Sequence, residues 1–276
     1  IKRNKFNSIT EKSSFWSKPV FRGMASLYEA MKMGMATLQW SADITYPEDN
    51  QDSMWSKSLD FLTTLFSILL AIFMFMVLPM WLTTKLLSIE KEALWFNLSW
   101  GFFRIIFFVV YLFLISRISD ISRLFQYHGA EHKVVYNFES GKNLSIKGAQ
   151  SFPTQHPRCG TSFMFIILLS AIFVFALVDT IAMYFFGTIS LSMRLLFHLP
   201  LIPLVSGIGY ELIKMTSKSD LFIFRILKAP GIFLQNITTK QPDDEMVEVS
   251  ITALKNAFGD EYDSFIGKKY KAEAIG

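Results

Sequence analysis

The chain has 276 residues, of which 51% are hydrophobic and only 18% are charged, whereas soluble domains carry roughly 25% charged residues. This composition predicts a polytopic membrane protein, and a net charge of +4 does not by itself indicate nucleic-acid binding. The single cysteine excludes a framework of intramolecular disulfides.

The N-terminal segment, residues 1–57, is predicted to contain one amphipathic helix, from residue 21 to residue 42. The first 20 residues are polar and basic and show no signal-peptide pattern. Apolar side chains then recur at steps of three and four residues, which gives a helix one apolar face. They are Met24, Leu27, Tyr28, Met31, Met35 and Leu38. We expect this face to lie on the membrane surface or to pack on other helices, with a Met-rich groove for partner helices as the alternative.

The first pair of transmembrane helices is predicted within residues 58–116. No charged residue occurs between Asp60 and Lys85, and a transmembrane helix needs about 20 apolar residues. The second helix of this pair is interrupted only by Arg104. Because an arginine inside the membrane is costly, we expect Arg104 to have a structural partner within the protein.

The second pair of transmembrane helices is predicted within residues 161–215. Asp179 lies near the end of the third span and Arg194 near the start of the fourth, so both should reach a similar depth. We expect them to pair, which reduces the cost of burying each charge. His198 is interpreted as a hydrogen-bonded core residue. Two prolines that remove backbone donors are expected to kink the fourth span: Pro200 and Pro203.

The C-terminal segment, residues 216–276, is predicted to form surface helices and a charged tail. A short apolar helix is expected to be broken at Ala229-Pro230-Gly231. A soluble helix is predicted over residues 243–258, where Asp243 suits the positive end of the helix dipole and Gly259 acts as a stop.

Lysine and arginine are distributed unevenly over the segments that flank the spans. The two termini and the central loop, residues 117–160, carry 23 of them, whereas the two other connections carry two. The positive-inside rule therefore places both termini and the central loop in the cytoplasm. The predicted fold class is an all-α, multi-pass membrane protein with four transmembrane helices.

The central loop holds three of the four histidines of the chain and its only cysteine. Its HGAEH run contains His128, Glu131 and His132. On a helix, residues at positions i and i+4 share a face, so both imidazoles can reach one ion. The order H-x-x-E-H is that of the inverted zincins, in which two histidines bind zinc and the glutamate activates water.

A second pair of metal-ligand residues, His156 and Cys159, stands just before the third span. Nitrogen and sulfur ligands at these close spacings suit tetrahedral Zn²⁺ or another divalent transition metal. The cytoplasm is reducing, so the cysteine is available as a thiolate. Glu139 and Glu211 are further candidates for oxygen ligands.

Two interpretations of this site stay open at the level of sequence. With three protein ligands and a water, the site is catalytic and Glu131 is the candidate general base. With His128, His132, His156 and Cys159 all bound, the site is closed and structural, and the loop is a zinc-stapled platform.

Basic residues accompany the candidate ligands: Arg123, Lys133, Lys142, Lys147 and Arg158. They can attract an anionic substrate, a lipid head group or a partner's RNA. Alternatively, they serve only to set the topology of the loop.

Several runs of this sequence together resemble the YqhQ-type family of uncharacterised bacterial integral membrane proteins. They are RGMASLYEAM, QYHGAEHKVVYNFESG, HPRCGTSF, LPLIPLVSGIGYEL and PGIFLQNITTKQPDDEMVEVSITAL. The resemblance covers roughly residues 20–258. It implies a predicted metal-dependent enzyme of the bacterial inner membrane, with ligands at His128, His132, His156 and Cys159 and with Glu131 beside them.

Two functional hypotheses follow. The first is a zinc-dependent hydrolase that uses metal-activated water at the cytoplasmic face. The second is a non-enzymatic membrane factor or scaffold, in which a structural zinc site shapes a surface for a membrane-protein, ribosome or translocon partner. Both imply contact with the lipid bilayer and no direct sequence-specific nucleic-acid binding, and both leave the oligomeric state open.

Overall fold

The computed structural model describes residues 6–45, 54–89, 91–157, 159–217 and 221–270. All regular elements in these ranges are helices. Four of them are long and apolar enough to cross a membrane: Phe61–Leu87, Ala93–Ile115, Gly160–Phe186 and Leu191–Thr216. The predicted all-α, four-span membrane fold is confirmed.

The helices are numbered along the chain. The first five are α1 (Ile9–Lys12), α2 (Phe21–Thr45), α3 (Met54–Ile72), α4 (Leu78–Leu87) and α5 (Ala93–Ile115). The next five are α6 (Ser119–Glu139), α7 (Ile146–Gln150), α8 (Gly160–Phe186), α9 (Leu191–His198) and α10 (Ile202–Ser217). The last three are α11 (Phe222–Thr238), α12 (Asp244–Phe258) and α13 (Tyr262–Phe265). The helix predicted from residue 21 is α2.

The chain divides into two compact units. The loop unit comprises Val109–Leu168 and Gly209–Gly276, together with Ile1–Phe6. The span unit comprises Asn7–Phe108 and Leu169–Ile208. All the candidate metal ligands belong to the loop unit.

A buried polar cluster occupies the span unit. Asp179 accepts hydrogen bonds from Asn97 Nδ2 at 2.7 Å and His198 Nε2 at 2.8 Å, and it forms an ion pair with Arg194. All four side chains are almost completely buried. The predicted pairing of Asp179 with Arg194 is confirmed, as is the core hydrogen bond of His198, and the pairing offsets the cost of burying two charges.

Aromatic rings enclose this cluster. The His198 ring is stacked on Phe175 at 4.1 Å and on Trp100 at 5.3 Å between centroids. Trp100 also faces the Arg104 guanidinium, whose central carbon lies 5.8 Å from the ring centroid. Arg104 Nε has no hydrogen-bond partner among the described residues. The structural contact expected for Arg104 is therefore made with an aromatic face.

Two of the membrane spans contain a change of helix type. A π-helical turn, Phe73–Val77, joins α3 to α4, and the carbonyl of Met76 within it accepts a hydrogen bond from Trp100 Nε1 at 3.3 Å. In the fourth span a 3₁₀ turn, Leu199–Leu201, separates α9 from α10. Pro200 lies in that turn and Pro203 in the first turn of α10, so the prolines coincide with the change of helix type, and the kink itself stays a prediction.

The break predicted at Ala229-Pro230-Gly231 is wrong, because α11 continues through Pro230. A proline inside a helix removes one backbone donor but does not forbid the helix where packing supports it. That packing is visible at Gly231, where an added Cβ would lie 2.8 Å from Ser162 Cα. The absence of a side chain at Gly231 lets α11 run directly against the start of α8.

In the loop unit, α6 packs against α12 through a hydrophobic core. The buried residues are Ala130, Val134, Phe138, Leu144, Ala149, Met246, Val247 and Ile251. Asp243 caps α12 by accepting a hydrogen bond from the Met246 backbone N–H at 2.8 Å. The helix predicted over residues 243–258 is confirmed.

Candidate metal centre

Helix α6 presents His128 and His132 one turn apart, with their ring centroids 4.4 Å from each other. His128 Nδ1 lies 2.8 Å from the Thr238 carbonyl oxygen, and His132 Nδ1 is hydrogen-bonded to the Thr154 carbonyl oxygen. Because a carbonyl oxygen only accepts, each Nδ1 carries a proton, so Nε2 is the ring atom that can donate to the Cys159 thiolate or, after losing its own proton, bind a metal ion. Histidines that bind metals are oriented by hydrogen bonds of this kind.

Cys159 completes a group of three candidate ligands. Its Sγ atom lies 3.3 Å from His128 Nε2, and the ligand atoms of His128, His132 and Cys159 all lie within 4.8 Å of one another. Tetrahedral zinc, with bonds of about 2.0 Å to nitrogen and 2.3 Å to sulfur, requires ligand atoms about 3.3–3.7 Å apart. The three residues therefore fit a zinc ion after small side-chain movements.

The fourth predicted ligand, His156, lies beside this group but is not one of the three. Its ring centroid is 5.6 Å from that of His132, and its Nε2 atom is 3.5 Å from Glu139 Oε2. The backbone of His156 is held by the buried side chain of Gln235, which accepts from His156 N–H at 2.7 Å and donates to the His156 carbonyl at 2.9 Å. Three of the four predicted ligands are thus brought together, and the position of the fourth is fixed nearby.

Hydrogen bonding favours the thiolate form of Cys159. Burial raises the pKa of the thiol, but hydrogen bonds from His128, His132 and Thr161 outweigh this effect and lower the pKa to about 5. The Thr161 backbone N–H contributes one of these bonds, at 3.4 Å from Sγ. A thiolate is the form of cysteine that binds metals.

The pKa values of His128 and His156 are shifted in opposite directions. Burial lowers the pKa of His128, but its contacts with Cys159, the Thr238 carbonyl and Glu131 raise the pKa above its usual value overall. Burial and the neighbouring His132 lower the pKa of His156 to about 4. Near neutral pH, His156 is therefore an uncharged ring, so its contact with Glu139 is not an ion pair between two charged groups.

Glu131, the candidate general base, is exposed on α6. Together with His128 it lines a cavity of about 820 Å³ between α6 and α12. The remaining lining is almost wholly apolar. A carboxylate beside the ligand group, at the edge of a cavity, is placed where it can exchange a proton with a bound molecule.

The other candidate residues are distributed unevenly around the group. Glu139 contacts His156, whereas Glu211 lies on α10 and is not part of the described ligand group. Lys133 is buried and donates to the carbonyls of Gln150 at 3.0 Å and Phe152 at 2.6 Å, so the expected role in attracting an anion is wrong for this residue. Arg158 lies outside the described residues.

Sequence reasoning missed the residues that hold the ligands in place. Gln235 and Thr238 are buried polar residues on the mainly apolar α11, and polar residues three apart on an apolar helix were the available signal. Gly129 was also missed: an added Cβ would lie 2.0 Å from the Lys240 carbonyl oxygen. Gly129 therefore allows α6 to approach the chain segment that orients His128.

Comparisons with known proteins agree on one family. The profile of a family described as a protein of unknown function, DUF1385, matches residues 18–260. A Bacillus subtilis (strain 168) protein described as "Uncharacterized protein YqhQ" is 32% identical over 248 residues, covering 84% of this chain and 74% of that protein. No solved structure matches the chain. The resemblance to the YqhQ-type proteins is confirmed, and the chain belongs to the DUF1385 family.

Proposed function

We propose that this protein is a zinc-dependent hydrolase of the bacterial inner membrane. The observation that carries the proposal is the group of three ligand atoms within 4.8 Å of one another, with His156 outside the group. Three protein ligands leave one position of a tetrahedral ion open, as in catalytic zinc sites. A closed, structural site would instead require a fourth protein ligand.

In the proposed reaction, the zinc ion and the side chains have different roles. Zinc held by this group would lower the pKa of a bound water and polarise a carbonyl oxygen. His128 and His132 supply nitrogen ligands whose orientation is fixed at Nδ1, and Cys159 supplies a thiolate. Glu131 accepts the proton that the attacking water loses and returns it to the leaving group.

The charge distribution supports a cytoplasmic position for the site. The two termini and the central loop, which contains the ligand group, carry 23 of the 27 lysines and arginines, and the positive-inside rule assigns such segments to the cytoplasm. We infer that both termini and residues 117–160 are cytoplasmic. A cysteine-accessibility scan that found Lys142→Cys reactive only from outside the cell would overturn this topology.

The ligand set is tested by metal analysis and X-ray absorption on the purified protein. We expect one zinc, two nitrogen ligands, one sulfur ligand and an oxygen ligand from solvent. The variant His132→Ala should lose the zinc, whereas His156→Ala should retain it. The open-site mechanism would be contradicted by four protein ligands with no solvent oxygen. Loss of zinc in His156→Ala would contradict it as well.

The catalytic role is tested with a panel of 4-nitrophenyl acyl esters and Glu131→Gln. This variant should retain zinc and lose ester hydrolysis, while the matched control Glu248→Gln, an exposed carboxylate on α12, should behave as the unaltered protein. Hydrolysis that survives removal of zinc but is abolished by alkylation of Cys159 would replace the proposal with a cysteine nucleophile.

A non-enzymatic membrane factor is the second candidate function, and the exposed face of α2 favours it. Met31, Met35 and Leu38 share one face of this helix and are each more than 60% exposed. Met side chains adapt to varied apolar partners. If this face binds a membrane-protein, ribosome or translocon partner, Met31→Glu with Met35→Glu should abolish co-purification of that partner without altering zinc content.

A further inference from the structure

The cavity in the loop unit lies along the α6–α12 pair, beside its buried core. Val134 belongs both to that core, where it is almost completely buried, and to the cavity lining. Two other lining residues, Leu124 and Val249, are more than half exposed. The cavity is therefore an open groove that extends from the edge of the α6–α12 core to the surface of the two helices.

The α12 side of this groove is lined by small residues at helical spacing together with the larger Leu254 and Phe258. Ala253 and Ala257 are exposed and one turn apart, and Val249 precedes them by another turn. The α6 side contributes Leu124 and Val135. Among the described lining residues, Glu131 is the only lysine, arginine, aspartate or glutamate, so the groove is suited to an uncharged, apolar ligand.

The groove is joined to both the ligand group and the membrane-spanning part of the chain. His128 and Glu131 belong to the groove lining as well as to the candidate catalytic site. Cys159 immediately precedes α8, the third membrane span, and α6 begins four residues after α5 ends. Chain connectivity thus places Cys159 next to the end of a candidate membrane span.

We propose that the groove binds the acyl chain of a membrane lipid, with the acyl carbonyl directed toward His128. This inference rests on the proposed hydrolase function, and it identifies the substrate as a lipid acyl ester. Water adds to the carbonyl carbon and the bond from that carbon to the alcohol oxygen breaks. Glu131 takes the proton from water and passes it to the leaving alcohol oxygen.

Size and lining favour an acyl chain. The cavity of about 820 Å³ is within the range of small-molecule sites, about 300–1,000 Å³. A mainly apolar lining that includes His128 and Glu131 matches a molecule with an apolar tail and one reactive carbonyl.

The test uses the full chain in phosphatidylethanolamine–phosphatidylglycerol vesicles that contain a phospholipid with a photoactivatable diazirine on its acyl chain. After illumination, we expect labelled peptides from residues 124–135 and 249–258 as well as from the membrane spans. Ala253→Trp should lower groove labelling by about fivefold or more because its ring fills the space. Ala257→Trp provides a second groove-filling variant.

The matched control is Thr252→Trp, which places the same ring on an exposed position of α12 outside the groove lining. It should leave groove labelling unchanged. Zinc content identifies any tryptophan variant that fails to fold. Labelling confined to the membrane spans, or an equal loss in Ala253→Trp and Thr252→Trp, would overturn the proposal, as would labelling of α12 by an apolar photo-leucine peptide but not by the lipid.

Photolabelling tests lipid binding in the groove separately from hydrolase activity. Labelling needs no catalysis, so His132→Ala, which lacks zinc, should still be labelled in the groove. Groove labelling without ester hydrolysis would support the lipid site while contradicting the hydrolase. Hydrolysis of the 4-nitrophenyl esters without groove labelling would contradict the lipid site and leave the hydrolase standing.

Discussion

Histidine serves two different purposes in the two units of this protein. In the span unit, the His198 ring is stacked on both Trp100 and Phe175, and its Nε2 atom donates to Asp179. In the loop unit, His128 and His132 are held at Nδ1 by backbone carbonyls, and their ligand nitrogens lie close to Cys159.

The two groups differ in the hydrogen-bond partners of their polar side chains. The carboxylate of Asp179 receives donors from three side chains, including Arg194, so the charges of the ion pair are balanced within the cluster. In the loop unit the hydrogen bonds at Nδ1 orient the rings of His128 and His132. The other nitrogen of each ring remains as an atom that can bind an ion. Internal balance indicates a structural role for the first cluster, and oriented ligand atoms indicate a binding role for the second.

The largest expected effect is on the span unit. Asp179→Asn leaves the buried Arg194 without its counter-charge, and breaking a buried ion pair costs about 3–5 kcal/mol of unfolding free energy. Unfolding in mixed detergent micelles measures this loss, and zinc content should stay unchanged in the folded fraction. The double variant Asp179→Leu with Arg194→Met should lose less stability than Asp179→Asn. An equal or larger loss would contradict the interpretation that Asp179 and Arg194 balance each other's charge.

The next effect is on metal binding in the loop unit. Cys159→Ser removes one of the three proposed ligands and should weaken zinc binding by roughly 100-fold or more, since losing even an outer contact of a metal site costs about 10–100-fold. Competition with a calibrated zinc chelator measures the affinity. Unchanged affinity in Cys159→Ser would show that the thiolate is not a ligand.

A smaller effect is expected where α6 meets the segment after α11. Gly129→Ala should cost about 1–3 kcal/mol of unfolding free energy, because its Cβ would lie 2.0 Å from the Lys240 carbonyl oxygen. Thermal unfolding and zinc titration follow the change. Gly34→Ala is the matched control, since nothing lies within 4 Å of an added Cβ on that exposed helical residue. Equal stability of the two variants would contradict the close approach at Gly129.

The smallest effect is expected from Thr154→Val. The hydrogen bond to His132 uses the Thr154 backbone carbonyl, which valine retains. We expect unfolding free energy within about 0.5 kcal/mol of the unaltered protein, and zinc affinity within about twofold. A tenfold fall in zinc affinity would mean that the hydroxyl, not the carbonyl, supports the site.

Sequence was sufficient for the features that depend on local spacing. The i, i+4 relation placed His128 and His132 on one face, and the hairpin of the third and fourth spans placed Asp179 beside Arg194. Position along a helix or a hairpin fixes such contacts without knowledge of the remaining fold.

Sequence was not sufficient where distant segments meet. The contact of Gln235 with the backbone of His156 joins residues 79 positions apart, and no periodicity encodes it. The same reason explains the wrong break at Pro230, because packing of Gly231 against Ser162 overrides the local preference of proline. The groove beside Glu131 depends on how α6 and α12 pack, which composition does not reveal.

The hydrogen bond from His128 to the Thr238 carbonyl sets an order of events during synthesis. The two residues are 110 positions apart, and the third and fourth membrane spans lie between them in the chain. The ligand group can reach its described arrangement only after the ribosome has passed residue 238. By then the third and fourth spans have also been synthesised. A nascent chain halted after the second span would carry His128 and His132 but neither Cys159 nor the carbonyl that orients His128.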